Sequence, residues 1–391
     1  MTVVVGFLLA AVALLTVGHR KVRPLVAVGA PTVVALIFGV VTTDEARASI
    51  DPLIEPVLFL VFAVPLAIQL DRVGFFDAAA GRVAAGHRLR PSLWVFAAAV
   101  TTVFNLDAAI VLLTPLYVRI AYRHGLDPLL TAFQPVLLAA LASSALPVSN
   151  LTNLIVAAET GASFGEFLLY LGLPSLVATV VGWMMFRRSQ LSATIPVVLE
   201  AERGDPRPLR IGGSVVVWLL VGFTAGDVLG IPAWMVVASA LVLLSVGTRT
   251  LPVRGIPIDA IGVVLGLGVL AGAAPAHLGL GILLGGEGAI AEARALAVGI
   301  VGSDIVNNLP MLIAGLPHVE GGTAWALLLG TNLGPVLWLS GSLAGLLWLD
   351  IVRRLGLQVT PLQYARVGWR VGLPAIAAAT PVLLVISRLA G

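Results

Sequence analysis

Apolar runs of 16 residues and more dominate the chain, and the charged residues collect in the short gaps between them. A bilayer needs about 20 consecutive apolar residues per helix, so the pattern predicts an all-α polytopic membrane protein. The gaps carry an order of their own, because loops rich in Lys and Arg stay on the cytoplasmic side. Residues 2–17 have no basic residue before them and are followed by His19, Arg20, Lys21 and Arg23. That is the reverse of a secretory signal and predicts a first span whose N-terminus is outside. Asp44, Glu45 and Asp51 (with Arg47) place the second loop outside, and Arg72, Arg82, Arg88 and Arg90 place the third inside.

Two runs break this alternation. Residues 92–118 are preceded by Arg88 and Arg90 and end in Arg119, Arg123 and His124. One span cannot have two cytoplasmic ends, so a hairpin that enters the membrane and returns is expected. Residues 295–317 lie between Glu287 and Glu292 on one side and His318 and Glu320 on the other, which predicts a second hairpin from the outer face. The run 129–158 crosses outward to Glu159 and Glu166, and 167–186 returns to Arg187 and Arg188. Further spans are expected at 211–229, 232–247, 257–273, 323–349 and 370–388, with a Gly-rich interfacial segment at 277–292.

The expected organisation is therefore an N-terminal repeat over 1–186, a hydrophilic cytoplasmic linker over 187–210 and a C-terminal repeat over 211–391. Each repeat holds five spans and one re-entrant hairpin, about ten spans and two hairpins in all, and both termini lie outside. Halves of opposite orientation are the layout of inverted-repeat secondary transporters. In such a layout the hairpin-bearing bundle moves against a static scaffold, and the scaffold is the expected homodimer interface.

Composition supports the membrane reading. The 391 residues are 59% hydrophobic and 11% charged, and the mean hydropathy is +1.04. Soluble domains carry about 25% charged residues, so this chain cannot cover itself with charge. A net charge of +3 is spread over short loops, which makes it a topology signal and gives no reason to expect nucleic acid. There is no Cys, which excludes disulfides, thiolate metal sites and a cysteine nucleophile. No GxxxxGK[ST], HExxH or GxSxG motif is present, and none of the five His residues pairs into metal-ligand spacing, so no ATP hydrolysis, metal or other cofactor is expected.

The repeat is visible in the residues. VFNLDAAIVLLTP at 103–115 has a counterpart in IVNNLPMLIAGLP at 305–317, which aligns Asn105 with Asn307 and Pro115 with Pro317. PVSNLTN at 147–153 has a counterpart in LGTNLGP at 329–335, which aligns Asn150 with Asn332 and Ser149 with Thr331. Non-helical backbone survives at membrane depth only where it is buried in protein or lines a cavity. A broken helix exposes N–H groups at one end and C=O groups at the other, and both kinds can hold a solute or an ion. The expected binding residues are Asn105, Asp107, Ser149, Asn150, Thr152, Asn153, Asn307, Asn308, Thr331 and Asn332.

An ionisable residue at the centre of a helix costs about 2.5–3.5 kcal/mol on insertion scales, so Asp107 is the expected proton-coupling carboxylate. Capping of a half-helix is its alternative role. Asp304, in VGSDIVNN, is either a second titrating group or an N-cap. Asp227 and Asp259 read as helix caps, Asp51 and Glu55 as interfacial, and Trp218, Trp234, Trp338, Trp348 and Trp369 as an interfacial belt.

FNLDAAIVLLTP, LPVSNLTNLIVAA, SDIVNNLPM and GTNLGPVLWLSGSLAGLLW together resemble the signature segments of the arsenical pump membrane proteins, a family of the ion transporter superfamily. The C-terminal stretch LLWLDIVRRLGLQVTPLQYARVG is also similar to the end of arsenite permeases, so the resemblance covers most of the chain. Leu106 stands before the aspartate, where many arsenite permeases carry Asn. The resemblance implies a cell-membrane antiporter that exports arsenite or antimonite, as the neutral trihydroxide, in exchange for protons. Such permeases work alone or with a separate ATPase subunit. Other substrates of the same fold are Na⁺, exchanged for H⁺, and small dicarboxylates. An uncoupled channel is the alternative of another class.

Overall fold

The structure is a computed structural model and describes residues 2–17, 22–84, 88–190, 205–250, 252, 255–273 and 279–390. His19, Arg20, Lys21, Arg254 and most of the expected linker, 191–204, lie outside the described residues. The described residues form helices without a β-strand. In chain order these are α1 (Thr2–Val17), α2 (Pro24–Ile37), α3 (Thr43–Ile50), α4 (Ile54–Arg72), α5 (Phe75–Ala84), α6 (Leu89–Phe104), α7 (Leu106–Arg123), α8 (Pro128–Leu141), α9 (Leu151–Thr160), α10 (Phe164–Phe167) and α11 (Leu173–Phe186). They continue as α12 (Arg207–Leu229), α13 (Ala233–Thr248), α14 (Ile258–Gly272), α15 (Leu280–Leu284), α16 (Ala289–Val306), α17 (Asn308–Gly315), α18 (Gly321–Leu333), α19 (Leu343–Arg354) and α20 (Pro361–Ala390).

Among the described residues, four continuous helical stretches are long and apolar enough to cross a membrane: Thr43–Arg72, Phe164–Phe186, Arg207–Leu229 and Pro361–Ala390. The last begins nine residues before the span expected at 370–388, because Thr360 caps it through the Gln363 amide N–H, at 3.1 Å. The runs expected as single spans at 129–158 and 323–349 are each interrupted, between α8 and α9 and between α18 and α19.

Two groups of helices pack around the site. In one, α4 lies against α13, and α14 lies against α2, α1 and α3. Thr32 Oγ1 donates to Gly266 O at 3.2 Å, an Arg23–Asp259 ion pair of 3.1 Å joins the starts of α2 and α14, and Gln69 Nε2 donates to Thr248 and Thr250 at 2.5 Å. Asp259 is thus an ion-pair partner in the first turn of α14, where the N-cap position is Pro257. In the other group, α11 packs along α20, α6 and α7 against α8, and α16 against α18. Trp348 belongs to this interior and not to an interfacial belt: it is fully buried and donates to Ala132 O at 2.7 Å.

The α16–α18 contact is made by backbone. A Cβ at Gly299 would stand 2.7 Å from Leu327 O and 3.0 Å from Thr331 N, and one at Gly330 would be closer still to Leu296 O. Between lipid-embedded helices the hydrophobic effect does not drive association, so close approach of this kind is the main source of packing energy.

Gly299→Ala or Gly330→Ala should force these helices apart and cost about 1–3 kcal/mol, as overpacking does. Gly213→Ala, on α12 with nothing within 4 Å of the new methyl, serves as the neutral control. Thermal unfolding of the purified variants in detergent reads the difference; equal melting temperatures for all three would refute the close contact.

Candidate functional site

The site is built from two helix-to-helix reversals and two helix interruptions. The first reversal joins α6 to α7 at Asn105. Tyr117 donates to Leu93 O at 2.5 Å, and these residues stand twelve positions after and twelve before Asn105. A continuous helix would separate them by about 36 Å. The arms are therefore antiparallel, with Asn105 at the tip. The second reversal joins α16 to α17 at Asn307, where the Met311 side chain folds back onto Gly302.

Both tips require the same backbone. Asn105 has φ 82° and ψ 147°, and Asn307 has φ 81° and ψ 150°. This region is almost the preserve of glycine and costs a side chain about 1–3 kcal/mol. Among the described residues only Arg249 shares a positive φ without being Gly. Asparagine offsets the strain by local hydrogen bonding. Asn105 Oδ1 accepts from Asp107 N at 2.9 Å and Asn307 Oδ1 from Leu309 N at 3.4 Å, so each asparagine is the N-cap of the helix that follows. Capping is therefore not the role of Asp107, which lies inside the first turn of α7, nor of Asp304, which lies in the last turn of α16.

Each tip also holds an interruption. Asn105 Nδ2 donates to Val148 O at 3.5 Å, two residues before Asn150, the N-cap of α9. Asn307 Nδ2 donates to Ser340 O at 3.2 Å, two residues before Ser342, the N-cap of α19. Asn150 and Ser342 have nearly the same backbone, φ −147° with ψ 145° and 156°. In local geometry the match to Asn150 is Ser342, whereas Asn332, with which the motifs align it, lies within a helix. The sequence comparison matched the two SN/TN dipeptides by identity. The segment LSGS at 339–342, which does the equivalent work, has no Asn to attract notice.

Asn332 occupies a different place, in the last turn of α18, and reaches into the first interruption. Its Oδ1 accepts from Asn150 Nδ2 at 2.9 Å and from Thr152 Oγ1 at 2.6 Å. Its Nδ2 donates to Asn153 Oδ1 at 2.7 Å and to Ser144 Oγ at 3.2 Å. Asn153 Nδ2 in turn donates to Ser143 O and Leu146 O at 2.8 and 2.7 Å. Ser144 was not among the expected residues; the only hint was its place in the Ser-Ser pair just before the proline of PVSN.

These bonds sort the expected residues. Asn332 and Asn153 have used their amides. Ser149 is closed on Leu146 by donating to its carbonyl and accepting from its N–H, and Thr331 donates to Leu328 O in its own helix. Such groups shape the site and have little capacity left for a solute. Among the described residues at the tips and interruptions, Asp107, Asp304, Ser143 and Asn308 keep capacity, and Thr101, Thr114 and Gln134 on α6, α7 and α8 are also buried with an unpartnered polar atom. The Asp107 carboxylate is half-buried and nothing hydrogen-bonds it. Asp304 Oδ1 and Ser143 Oγ are buried without a partner. Asn308 spends Oδ1 on Leu309 N at 3.0 Å and leaves its Nδ2 free. Helix packing draws the pieces together, with α7 against α19, α17 against α9 and α18 against α9. No Lys, Arg or His occurs in 101–110, 142–153, 300–311 or 331–342.

The sequence profile of the family described as "CitMHS: Citrate transporter" matches residues 5–341. The arsenical pump membrane protein of Escherichia coli is 28% identical over 383 residues, 88% of this chain and 89% of its own length. An uncharacterized transporter of Mycobacterium tuberculosis is 26% identical over 97% of each chain. The silicon efflux transporter LSI3 of Oryza sativa subsp. japonica is 33% identical over 153 residues, 37% of this chain and 30% of its own length.

Two outcomes follow from the geometry. Asn105→Gly should be more stable than Asn105→Ala, because only the first relaxes the backbone. Asn332→Leu should cost about 2–4 kcal/mol, between four membrane bonds of about 0.6 kcal/mol and the larger cost of several buried groups left unpaired. Asn308→Leu should cost less than about 1 kcal/mol. Melting curves in detergent give both rankings, and an Asn332→Leu variant as stable as its parent would contradict the bonding described.

Proposed function

This chain belongs to the citrate-transporter family, and on that premise we propose that it exports arsenite or antimonite in exchange for protons. It is a multi-pass membrane transporter. The observation that carries the solute assignment is the charge of the site. Its free groups are two carboxylates, a hydroxyl and an amide, with no base in the surrounding segments. Citrate carries several negative charges at neutral pH, and carboxylates at low dielectric would repel them. Arsenite is a neutral trihydroxide at that pH and offers only hydroxyls, which neutral amides, hydroxyls and carbonyls can bind. The likeness to the Escherichia coli arsenical pump membrane protein supports the same solute. The shorter likeness to a silicon efflux transporter agrees, since silicon also dissolves as a neutral hydroxide.

In this reading the halves 1–186 and 211–391 are inverted repeats. The paired φ values of Asn105 and Asn307 and the matched bonds to Val148 and Ser340 support it. The α6–α7 and α16–α17 hairpins are then re-entrant from opposite faces and carry the solute site between them. The groups with spare capacity, Asp107, Asp304, Asn308 and Ser143, touch solute or proton. Asn105, Asn150, Asn153, Asn307, Thr152, Ser149, Thr331 and Asn332 hold the interruptions open around it. Asp107 takes the proton, since its carboxylate is half-buried at the hairpin tip and unengaged. Asp304 is the second candidate.

The family's description favours one further reading, citrate as solute. Everted membrane vesicles separate the two. Arsenite should accumulate, collapse of the pH gradient should abolish the accumulation, and excess citrate should not compete. Asp107→Asn should lower gradient-driven uptake by at least about tenfold, equivalent to about 1.4 kcal/mol, and Asp304→Asn by less. Proton-coupled uptake surviving in Asp107→Asn would remove the carrier role. Citrate uptake without arsenite uptake would exchange the solute.

A further inference from the structure

A cavity of about 340 Å³ opens beside the site, between the start of α4, α9, the start of α10, the end of α12 and the start of α13. Its size falls within the about 300–1,000 Å³ usual for small-molecule sites. The starts of α4 and α13 and the end of α12 form one wall, and α9 with the turn before it forms the other. Part of that second wall is Pro147 and Val148, both buried. The Val148 carbonyl is the group that Asn105 Nδ2 holds, at 3.5 Å. The tip of the first hairpin therefore stands directly behind the cavity wall, one residue away.

The charges of the cavity have one sign. Glu55 and Asp227 line it, both exposed at its rim, and no Lys, Arg or His does. Asp227 does not cap its own helix; its Oδ1 accepts from Phe164 N at 3.0 Å and so ties α12 to the start of α10 across the rim. Nothing among the described residues hydrogen-bonds the Glu55 carboxylate.

We propose that this cavity is the outer mouth of the solute path and that its carboxylates close it to anions. The proposal rests on the transporter reading above and deepens it: whatever crosses this mouth is neutral or cationic. The Asn105–Val148 contact is the partition between mouth and site, and it is the longest of the bonds that hold the interruptions.

The absence of Cys allows a direct test, because any introduced thiol is unique. Ala157, half-buried on α9 in the cavity wall, is replaced by Cys, and Ala162→Cys provides a second reporter if the first folds poorly. Right-side-out vesicles are treated with a cationic and an anionic methanethiosulfonate, each rate being normalised to that on free cysteine. The cationic reagent should be favoured by about tenfold, the effect of two carboxylates about 10 Å from the thiol in water. Adding Glu55→Gln and Asp227→Asn should return the ratio to that of free cysteine. Equal normalised rates in the parent reporter, a preference that survives neutralisation, or no reaction at either thiol would each overturn the proposal. Solute flux is not read here. Absent arsenite transport with the charge preference intact would reject the substrate and leave the mouth standing.

Discussion

Everything in this molecule depends on how the backbone is satisfied where its helices stop inside the apolar layer. A helix end strands N–H or C=O groups, and lipid offers them nothing. Here the answer at both hairpin tips is one residue type. Asn105 and Asn307 cap the helix that follows with Oδ1 and reach the neighbouring interruption with Nδ2, while their own backbones sit at φ near 80°. Glycine would fit the backbone better but could make neither bond. The strain is tolerated because the same side chain closes the break it helps to create.

A third asparagine connects segments far apart in the chain. Asn332 comes from α18 and fills the centre of the interruption between α8 and α9 with four hydrogen bonds. Its helix is in turn held to α16 by backbone contact at Gly299 and Gly330. The second hairpin and the first interruption are thus linked through rigid packing. A displacement of one hairpin relative to α4 and α14 would carry the linked elements with it. Once these structural bonds are counted, the polar groups left free at the tips and interruptions include two carboxylates, Asp107 and Asp304, with Ser143 and Asn308.

Much of this was legible in the sequence. The apolar runs, the double basic ends of 92–118 and the matched motifs around Asn105 and Asn307 located the hairpin tips, because charge and hydropathy act locally and leave a pattern in the chain. Capping or lining of the tip by Asn105 was legible by the same reasoning, since an Asn just before a helix is a known local device. The roles of Asn150 and Asn332 were not. Both stand in SN or TN dipeptides, and only the fold distinguishes an N-cap from a residue in a last helical turn that reaches across to another element. Ser342 and Ser144 were missed for the same reason: a serine acquires a special role only from what stands opposite.

By itself the sequence determined the environment of the chain, its helical class and the positions of the two hairpin tips, for these follow from transfer energies and from the conformational limits of single residues. The tertiary structure alone decided which polar groups are spent on one another and which are left. A hydrogen bond such as that from Asn150 to Asn332 joins residues 182 positions apart. No periodicity in the chain encodes it; it exists only when packing brings the two helices together.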